Sequence, residues 1–169
     1  MGVRHPPGIV AMKELTLRHF FEGHASAADL DRDAGGSMER RVDGNGTQFA
    51  QHRITDMAGE FTVTTEHMLR LVDAVISGEL SFDALDAIAF CLEASDRFSW
   101  DIEEDNGDRI ADALFWLGTP EINYPLTPNV LEKIRQYLLT GEKTLTRADT
   151  RQRPTIRETR QEKIGERDV

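Results

Sequence analysis

Between residues 63 and 141 the sequence repeats one pattern of apolar and polar positions. An apolar residue precedes a hydroxyl residue, and a run with apolar residues three and four positions apart follows. The hydroxyl can accept a hydrogen bond from a free amide of the first helical turn, and the apolar residue can pack on the next turn. This pattern predicts three capped amphipathic helices, over about 65–77, about 82–94 and from Thr127 to Gly141. The capping residues are Thr64, Ser81 and Thr127.

The apolar residues of the second run share one helical face, which we expect to be buried. They are Phe82, Leu85, Ile88, Ala89 and Leu92. Only Ser77 to Leu80 separates this run from the preceding one, so the two helices are expected to form an antiparallel hairpin. Gly78 and Gly141 occupy positions where a helix commonly ends in a left-handed residue.

Weaker helical patterns precede and follow these runs. One extends from near Met12 to Gly23, a short one follows Ser26, and another covers Asp108 to Leu117. Residues 61–64 alternate apolar and polar side chains, which predicts a short extended segment. The expected fold class is therefore all-α: a compact bundle of about five helices with a short extended segment near 61–64 and a polar C-terminal tail.

Three stretches are expected to lie outside the helical bundle. Residues 1–11 contain Pro6 and Pro7 and are predicted to be a flexible lead to a single domain over 12–141. Residues 31–52 are rich in turn formers and lack apolar periodicity, which favours a mobile loop over a hairpin at Gly44 to Gly46. Residues 142–169 are predicted to be a solvated, mildly basic tail, or an arm that orders on a partner.

Two helix–turn–helix segments also echo each other at an offset of 55 residues. Gly23, Ser26 and Leu30 correspond to Gly78, Ser81 and Leu85. The echo indicates either a duplicated hairpin or the ordinary recurrence of helix-capping chemistry.

Charge narrows the classes of partner. The chain has a formal net charge of −10, and residues 1–141 carry 24 acidic and 12 basic side chains. Such a surface repels nucleic acid and anionic membrane and attracts basic proteins. A single cysteine, Cys91, lies in an apolar run, so no internal disulfide can form and a buried thiol is expected. No apolar run is long enough to span a membrane, and we expect a cytoplasmic protein.

No motif for catalysis or metal binding has the required spacing. With Gly107 at the sixth position of a calcium loop, Ile102 would be the first ligand and Ala113 the last. His19 and His24 are five residues apart, whereas two zinc ligands on one helical face need a spacing of four. We therefore expect no enzyme activity, no cofactor and no metal.

The most acidic stretch, residues 93–112, is the candidate partner-binding surface. Carboxylates around central aromatic side chains would suit docking to a basic protein. The candidate residues are Asp96, Phe98, Trp100, Asp101, Glu103, Glu104, Asp105 and Asp108. The alternative is an ordinary acidic surface whose aromatic residues lie in the core.

Two short segments give the chain a resemblance to a known family. Gly78-Glu79-Leu80-Ser81 and Ser95-Asp96-Arg97-Phe98, with the helix between them and the acidic loop after them, resemble small bacterial immunity proteins of the colicin-D type. The resemblance covers about residues 64–141 and implies a cytoplasmic helical inhibitor, or antitoxin, whose carboxylates mask the basic site of a nuclease. A nucleic-acid mimic is a variant of this hypothesis. The alternative function is an accessory or structural subunit that docks through its C-terminal tail.

Overall fold

A computed structural model describes residues 11–151, so the predicted lead 1–11, except for Ala11, and the last part of the predicted tail lie outside the described residues. The described part contains six α-helices and three two-stranded sheets. The strands are β1 (Met12–Lys13), β2 (Met38–Val42), β3 (Gln48–His52), β4 (Ile54–Thr55), β5 (Phe61–Thr62) and β6 (Phe98–Ser99). The helices are α1 (Glu14–Glu22), α2 (Ala27–Gly35), α3 (Thr65–Ile76), α4 (Phe82–Ala94), α5 (Asp105–Gly118) and α6 (Pro128–Thr140). The protein is mostly helical, and the all-α expectation was too simple.

The capped helices are confirmed. The side-chain hydroxyls of Thr64, Ser81 and Thr127 each accept a hydrogen bond from the backbone amide three residues later. Gly78 and Gly141 have φ angles of 79° and 75°, in the left-handed region where glycine carries no Cβ penalty. These features form from residues close together in the chain, which is why the pattern of the sequence predicts them.

The packing of the helices differs from the expected hairpin. Although a short link joins α3 to α4, α3 packs mainly on α6, while α4 packs mainly on α2 and α5. The apolar residues that fill the resulting core include Leu71, Leu85, Ile88, Leu114 and Ile134. None of the described helices has the length and apolarity to cross a membrane.

Residues 31–52 form regular structure instead of the predicted loop. Helix α2 continues to Gly35, and β2 then pairs antiparallel with β3 in a five-residue register from Met38↔His52 to Val42↔Gln48. The Asp43 carboxylate organises the turn, because its Oδ1 accepts hydrogen bonds from the amides of Asn45 and Thr47 at 2.9 and 2.8 Å. Gly46, with φ of 78°, completes it. The side-chain turn chemistry outweighs the poor alternation of the flanking strands.

The first part of the predicted tail packs on the domain. Leu145 is buried in the core, and a 3₁₀ helix covers Arg147–Arg151. The buried carboxylate of Asp149 accepts hydrogen bonds from Lys133 Nζ at 2.9 Å and Asn129 Nδ2 at 3.3 Å. Residues 142–151 therefore pack on the domain through α6 and are not a free arm. The rest of the predicted docking arm lies outside the described residues.

Two parallel strand pairs enclose the first four helices in two units of similar plan. In the first, β1 is followed by α1 and α2 and pairs in parallel with β4. In the second, β5 is followed by α3 and α4 and pairs in parallel with β6. The two βααβ units contain the corresponding residues of the 55-residue echo.

Candidate functional site

The aromatic residues predicted to centre the binding surface face the core. Phe98 lies in β6, where Arg97 and Ser99 accept hydrogen bonds from the amides of Phe61 and Val63. Its ring is 5% exposed and packs edge-on against Phe21 at a centroid distance of 6.4 Å. Phe98 therefore cannot contact a partner in this conformation, and its predicted place in the binding surface is not supported.

Trp100 is intermediate between core and surface. It is half-buried and packs against the core cluster from the end of β6. Trp116, the other tryptophan near the acidic stretch, is buried and has the Lys143 ammonium 5.4 Å from its ring centroid. The aromatic side chains of this region thus contribute mainly to stability.

The carboxylates, by contrast, are displayed at the surface. Asp101, Glu103 and Glu104 are exposed in a tight turn between β6 and α5, which we call the acidic turn (residues 101–104). Its geometry is fixed from within, because Asp101 Oδ1 accepts a hydrogen bond from the Glu103 amide at 3.0 Å. Asp101 therefore has a structural role, and the carboxylates of Glu103 and Glu104 are directed by the turn that it closes.

Gly107 holds the acidic turn against the start of α5. A Cβ atom at this position would overlap the carbonyl oxygen of Asp101 and lie 2.8 Å from Cα of Ile102. The Gly107 amide donates a hydrogen bond to the Glu104 carbonyl at 2.9 Å. Only glycine permits this close approach without moving the turn. Gly107 does not fit the glycine position of a calcium-binding loop, and its role is to let the acidic turn pack closely on α5.

The other predicted acids lie on both sides of the turn. Asp96 is exposed before β6, and Asp105 is the first residue of α5. Asp108 is exposed in the first turn of α5, where a negative charge interacts favourably with the helix dipole. The structure groups the acidic turn with the start of α5, whereas β6 separates Asp96 from them.

Sequence reasoning missed the exposed apolar residue of this region. Ile102, within the acidic turn, is 65% exposed and lies between Asp101 and Glu103 in the sequence. An exposed apolar residue with acidic neighbours in the sequence is the arrangement that had been assigned to Phe98 and Trp100. The available signal was its position in a stretch without apolar periodicity, where no helical face could bury it.

Two groups next to this surface are committed to internal contacts. The Tyr137 hydroxyl donates a hydrogen bond to Asp112 Oδ2 at 2.7 Å, and burial together with this carboxylate raises the pKa of Tyr137 to about 12. The Arg109 guanidinium lies against Gly141 at the C-terminal end of α6, where a Cβ atom would be 2.6 Å from its Nη2. Its charge is therefore directed to the end of α6, where a cation interacts favourably with the helix dipole.

Metal binding and thiol chemistry were the other candidates for residues 11–151. Within this range no group of three histidine, cysteine or acidic side chains is arranged to hold a metal ion. The Cys91 thiol is buried, as expected, and burial raises its pKa to about 12. A thiol with so high a pKa carries almost no thiolate at neutral pH, so it is a poor nucleophile.

Comparisons of the sequence and the structure with known proteins give no match to a protein family, to a curated protein or to a solved structure. The resemblance to immunity proteins stays a prediction, and function has to be inferred from the surface itself.

Proposed function

We propose that this protein is an acidic protein-binding module of the inhibitor, immunity or antitoxin type, which masks a basic site on a partner such as a nuclease. The observation that carries the proposal is the acidic turn, in which the exposed residues Asp101 and Glu103 flank the exposed Ile102 in the sequence. An apolar contact inside a charged rim is typical of tight protein interfaces. The resemblance to bacterial immunity proteins points to a cytoplasmic inhibitor of a bacterial toxin.

The rigidity of the turn favours binding by preformed geometry. Gly107 and the internal hydrogen bond of Asp101 hold the backbone of residues 101–107 in one arrangement. Binding then costs less conformational entropy than it would for a loop that has to order on the partner. Fixed carboxylates also steer a basic partner during diffusion, which raises the association rate at low salt.

A pair of charge-reversal variants tests the proposal. The first changes Glu103, Glu104 and Asp108 to lysine and keeps Asp101, whose carboxylate holds the turn. The control changes three exposed acids elsewhere, Asp56, Glu60 and Glu142, to lysine, so both variants carry the same net charge. The wild type and both variants serve as baits in the native host, bound proteins are identified by mass spectrometry, and affinities are then measured on purified pairs.

We expect the wild type and the control to retain a common basic partner, and the first variant to bind it at least about tenfold more weakly. Equal affinity of the first variant and the control would contradict the proposal. Gly107→Ala adds a test without charge change: if the variant folds, the displaced turn is expected to weaken the same interaction.

A further inference from the structure

Asparagine is followed by glycine at two places in the chain, Asn45-Gly46 and Asn106-Gly107. This pair is chemically reactive, because the backbone nitrogen of the glycine can attack Cγ of the asparagine side chain and glycine has no Cβ to hinder the approach. Asp43-Gly44 is a similar pair with a carboxyl group as the target. The structure places the three pairs in different surroundings, and these decide which of them reacts.

Asp43 is held by its role in the turn between β2 and β3. Its Oδ1 accepts hydrogen bonds from the backbone amides of Asn45 and Thr47, and an attack on this group would break both of them. The negative charge of a carboxylate also repels an approaching nucleophile, whereas the side-chain amide of asparagine is neutral. Asp43-Gly44 is therefore the less reactive of the two pairs in the hairpin.

Asn106-Gly107 is restrained by packing. Asn106 is exposed, but it is the second residue of α5, and Gly107 is buried. A Cβ atom at Gly107 would overlap the carbonyl oxygen of Asp101, so the glycine backbone cannot turn towards the asparagine side chain without displacing the acidic turn. A reaction at this pair requires the first turn of α5 and the acidic turn to open together, which costs the packing of both.

Asn45-Gly46 lies at the open tip of the β2–β3 hairpin. Residues 42–48 are all exposed, and a Cβ atom at Gly46 would meet nothing within 4 Å apart from the residues next to it in the chain. Within the described residues the Asn45 side chain makes no hydrogen bond, and the Gly46 amide donates one, to the Asp43 carbonyl at 3.0 Å. A two-stranded sheet is only marginally stable, so this tip opens more easily than the packed start of α5.

We propose that Asn45 is a site of spontaneous deamidation, which converts it to aspartate and isoaspartate in the folded protein. The Gly46 nitrogen loses its proton to water and forms a bond to Cγ of Asn45. The bond from Cγ to Nδ2 breaks, and Nδ2 takes up a proton and leaves as ammonia. Water then opens the cyclic imide, at Cγ to give aspartate or at the backbone carbonyl carbon to give isoaspartate. The net change is the exchange of NH₂ for OH, with no oxidant or reductant.

The product changes the charge and the shape of the hairpin tip irreversibly. A new carboxylate stands near that of Asp43 and adds a negative charge to a chain whose formal net charge is already −10. Isoaspartate also places an extra methylene in the backbone before Gly46, which moves the Thr47 amide relative to its acceptor on Asp43. The inference does not depend on the proposed function, because the hairpin and the acidic turn are separate parts of the chain.

The test follows both asparagine–glycine pairs in the same molecule. The purified full chain is incubated at pH 8, and samples taken over time are digested and analysed by mass spectrometry, which resolves the exchange of NH₂ for OH at each position. A parallel incubation in urea removes the structure around both pairs. We expect Asn45 to react at least about tenfold faster than Asn106 in the folded protein, and the two rates to agree within about threefold in urea.

Two variants provide matched controls. Asn45→Gln and Asn106→Gln each keep a side-chain amide at an exposed position, but glutamine forms the corresponding ring far more slowly. Ion-exchange chromatography separates the more acidic product from the starting protein. Asn45→Gln should slow its appearance at least about tenfold, and Asn106→Gln should change it less than about twofold. Circular dichroism checks that both variants are folded, and the measurement on the wild type stands without them.

Three results would overturn the inference. The first is a rate at Asn106 in the folded protein that equals or exceeds the rate at Asn45. The second is deamidation of Asn45 in urea only, which would show that the turn protects it. The third is an acidic product that appears in Asn45→Gln as fast as in the wild type.

Discussion

The two βααβ units have the same backbone plan but are closed by different interactions. In the first unit, residues 12–57, the carboxylate of Glu14 is buried and its Oε2 accepts a hydrogen bond from the amide of Met57, two residues after β4, at 2.9 Å. In the second, residues 61–99, the closing strand brings Phe98 against Phe61 at a centroid distance of 6.0 Å. One unit is fastened by a buried polar contact and the other by aromatic packing.

The units differ also in what they add to the plan. The first inserts the β2–β3 hairpin between its second helix and its closing strand, whereas the second returns from α4 to β6 through residues 95–97 only. The acidic turn then follows the second unit. The shared helices explain stability, and the additions form the exposed surfaces. The two units share the parallel pairing of their strands, but β5 and β6 follow β1 and β4 by 49 and 44 residues, so the 55-residue echo is confined to the helical segments.

The largest expected effect tests whether Phe98 is a core residue or a partner-binding residue. Phe98→Ala should lower the free energy of unfolding by about 3–5 kcal/mol, because it leaves a cavity against Phe21 and Phe61. Urea unfolding followed by circular dichroism measures the change, with Phe115→Ala as the exposed control, expected to cost less than about 1 kcal/mol. Equal stability of the two variants would place Phe98 at the surface and restore it as a partner contact.

Phe98 and Phe82 show where sequence reasoning reaches its limit. Helix starts and stops were predictable at Thr64, Ser81 and Gly141, since capping involves neighbours in the chain. Whether a phenylalanine is buried depends on which distant segments pack over it. Phe98 is covered through pairing with β5, whereas Phe82, the first residue of α4, is 58% exposed and is not among the residues that α4 buries. Neither environment is encoded locally, so Phe82 was assigned to the wrong environment, and Phe98 was named as a binding residue although the alternative, a place in the core, is the one that its burial supports.

In the candidate site, too, some features could be predicted from the sequence and others depend on how distant segments pack. The exposure of Asp101, Glu103, Glu104 and Asp108 follows from their charge, and the sequence indicated it. The role of Gly107 did not follow, because its backbone contact with Asp101 depends on how the turn folds back on α5.

A smaller effect tests the polar closure of the first unit. Glu14→Leu should lower the free energy of unfolding by about 1–3 kcal/mol, because the Met57 amide loses its buried acceptor. Glu14→Gln keeps a side-chain oxygen and should cost less than about 1 kcal/mol. Urea unfolding of both variants gives the comparison. If leucine is tolerated as well as glutamine, the hydrogen bond does not fasten the unit and packing alone closes both.

The smallest expected effect is a pH dependence at the start of α3, in the second unit. Helix α3 begins with a capping box in which the Thr64 amide donates to His67 Nδ1 at 3.0 Å, whereas α1 begins at Lys13 with no side-chain cap. The ring of His67 must be unprotonated at Nδ1 to accept this bond. Burial, and to a lesser degree the charge of Arg70, lowers the pKa of His67 below its ordinary value of 6.5.

The folded state therefore binds the His67 proton less readily than the unfolded chain, so the stability from the neutral ring is complete above about pH 6.5 and declines as the pH falls below it. The loss should stay under about 1 kcal/mol, the usual worth of a helix cap. Urea midpoints measured between pH 7.5 and 5 should fall for the wild type and fall less for His67→Gln, whose side-chain oxygen accepts the Thr64 amide without titrating. Parallel profiles for the two proteins would show that the start of α3 is as insensitive to protons as the uncapped start of α1.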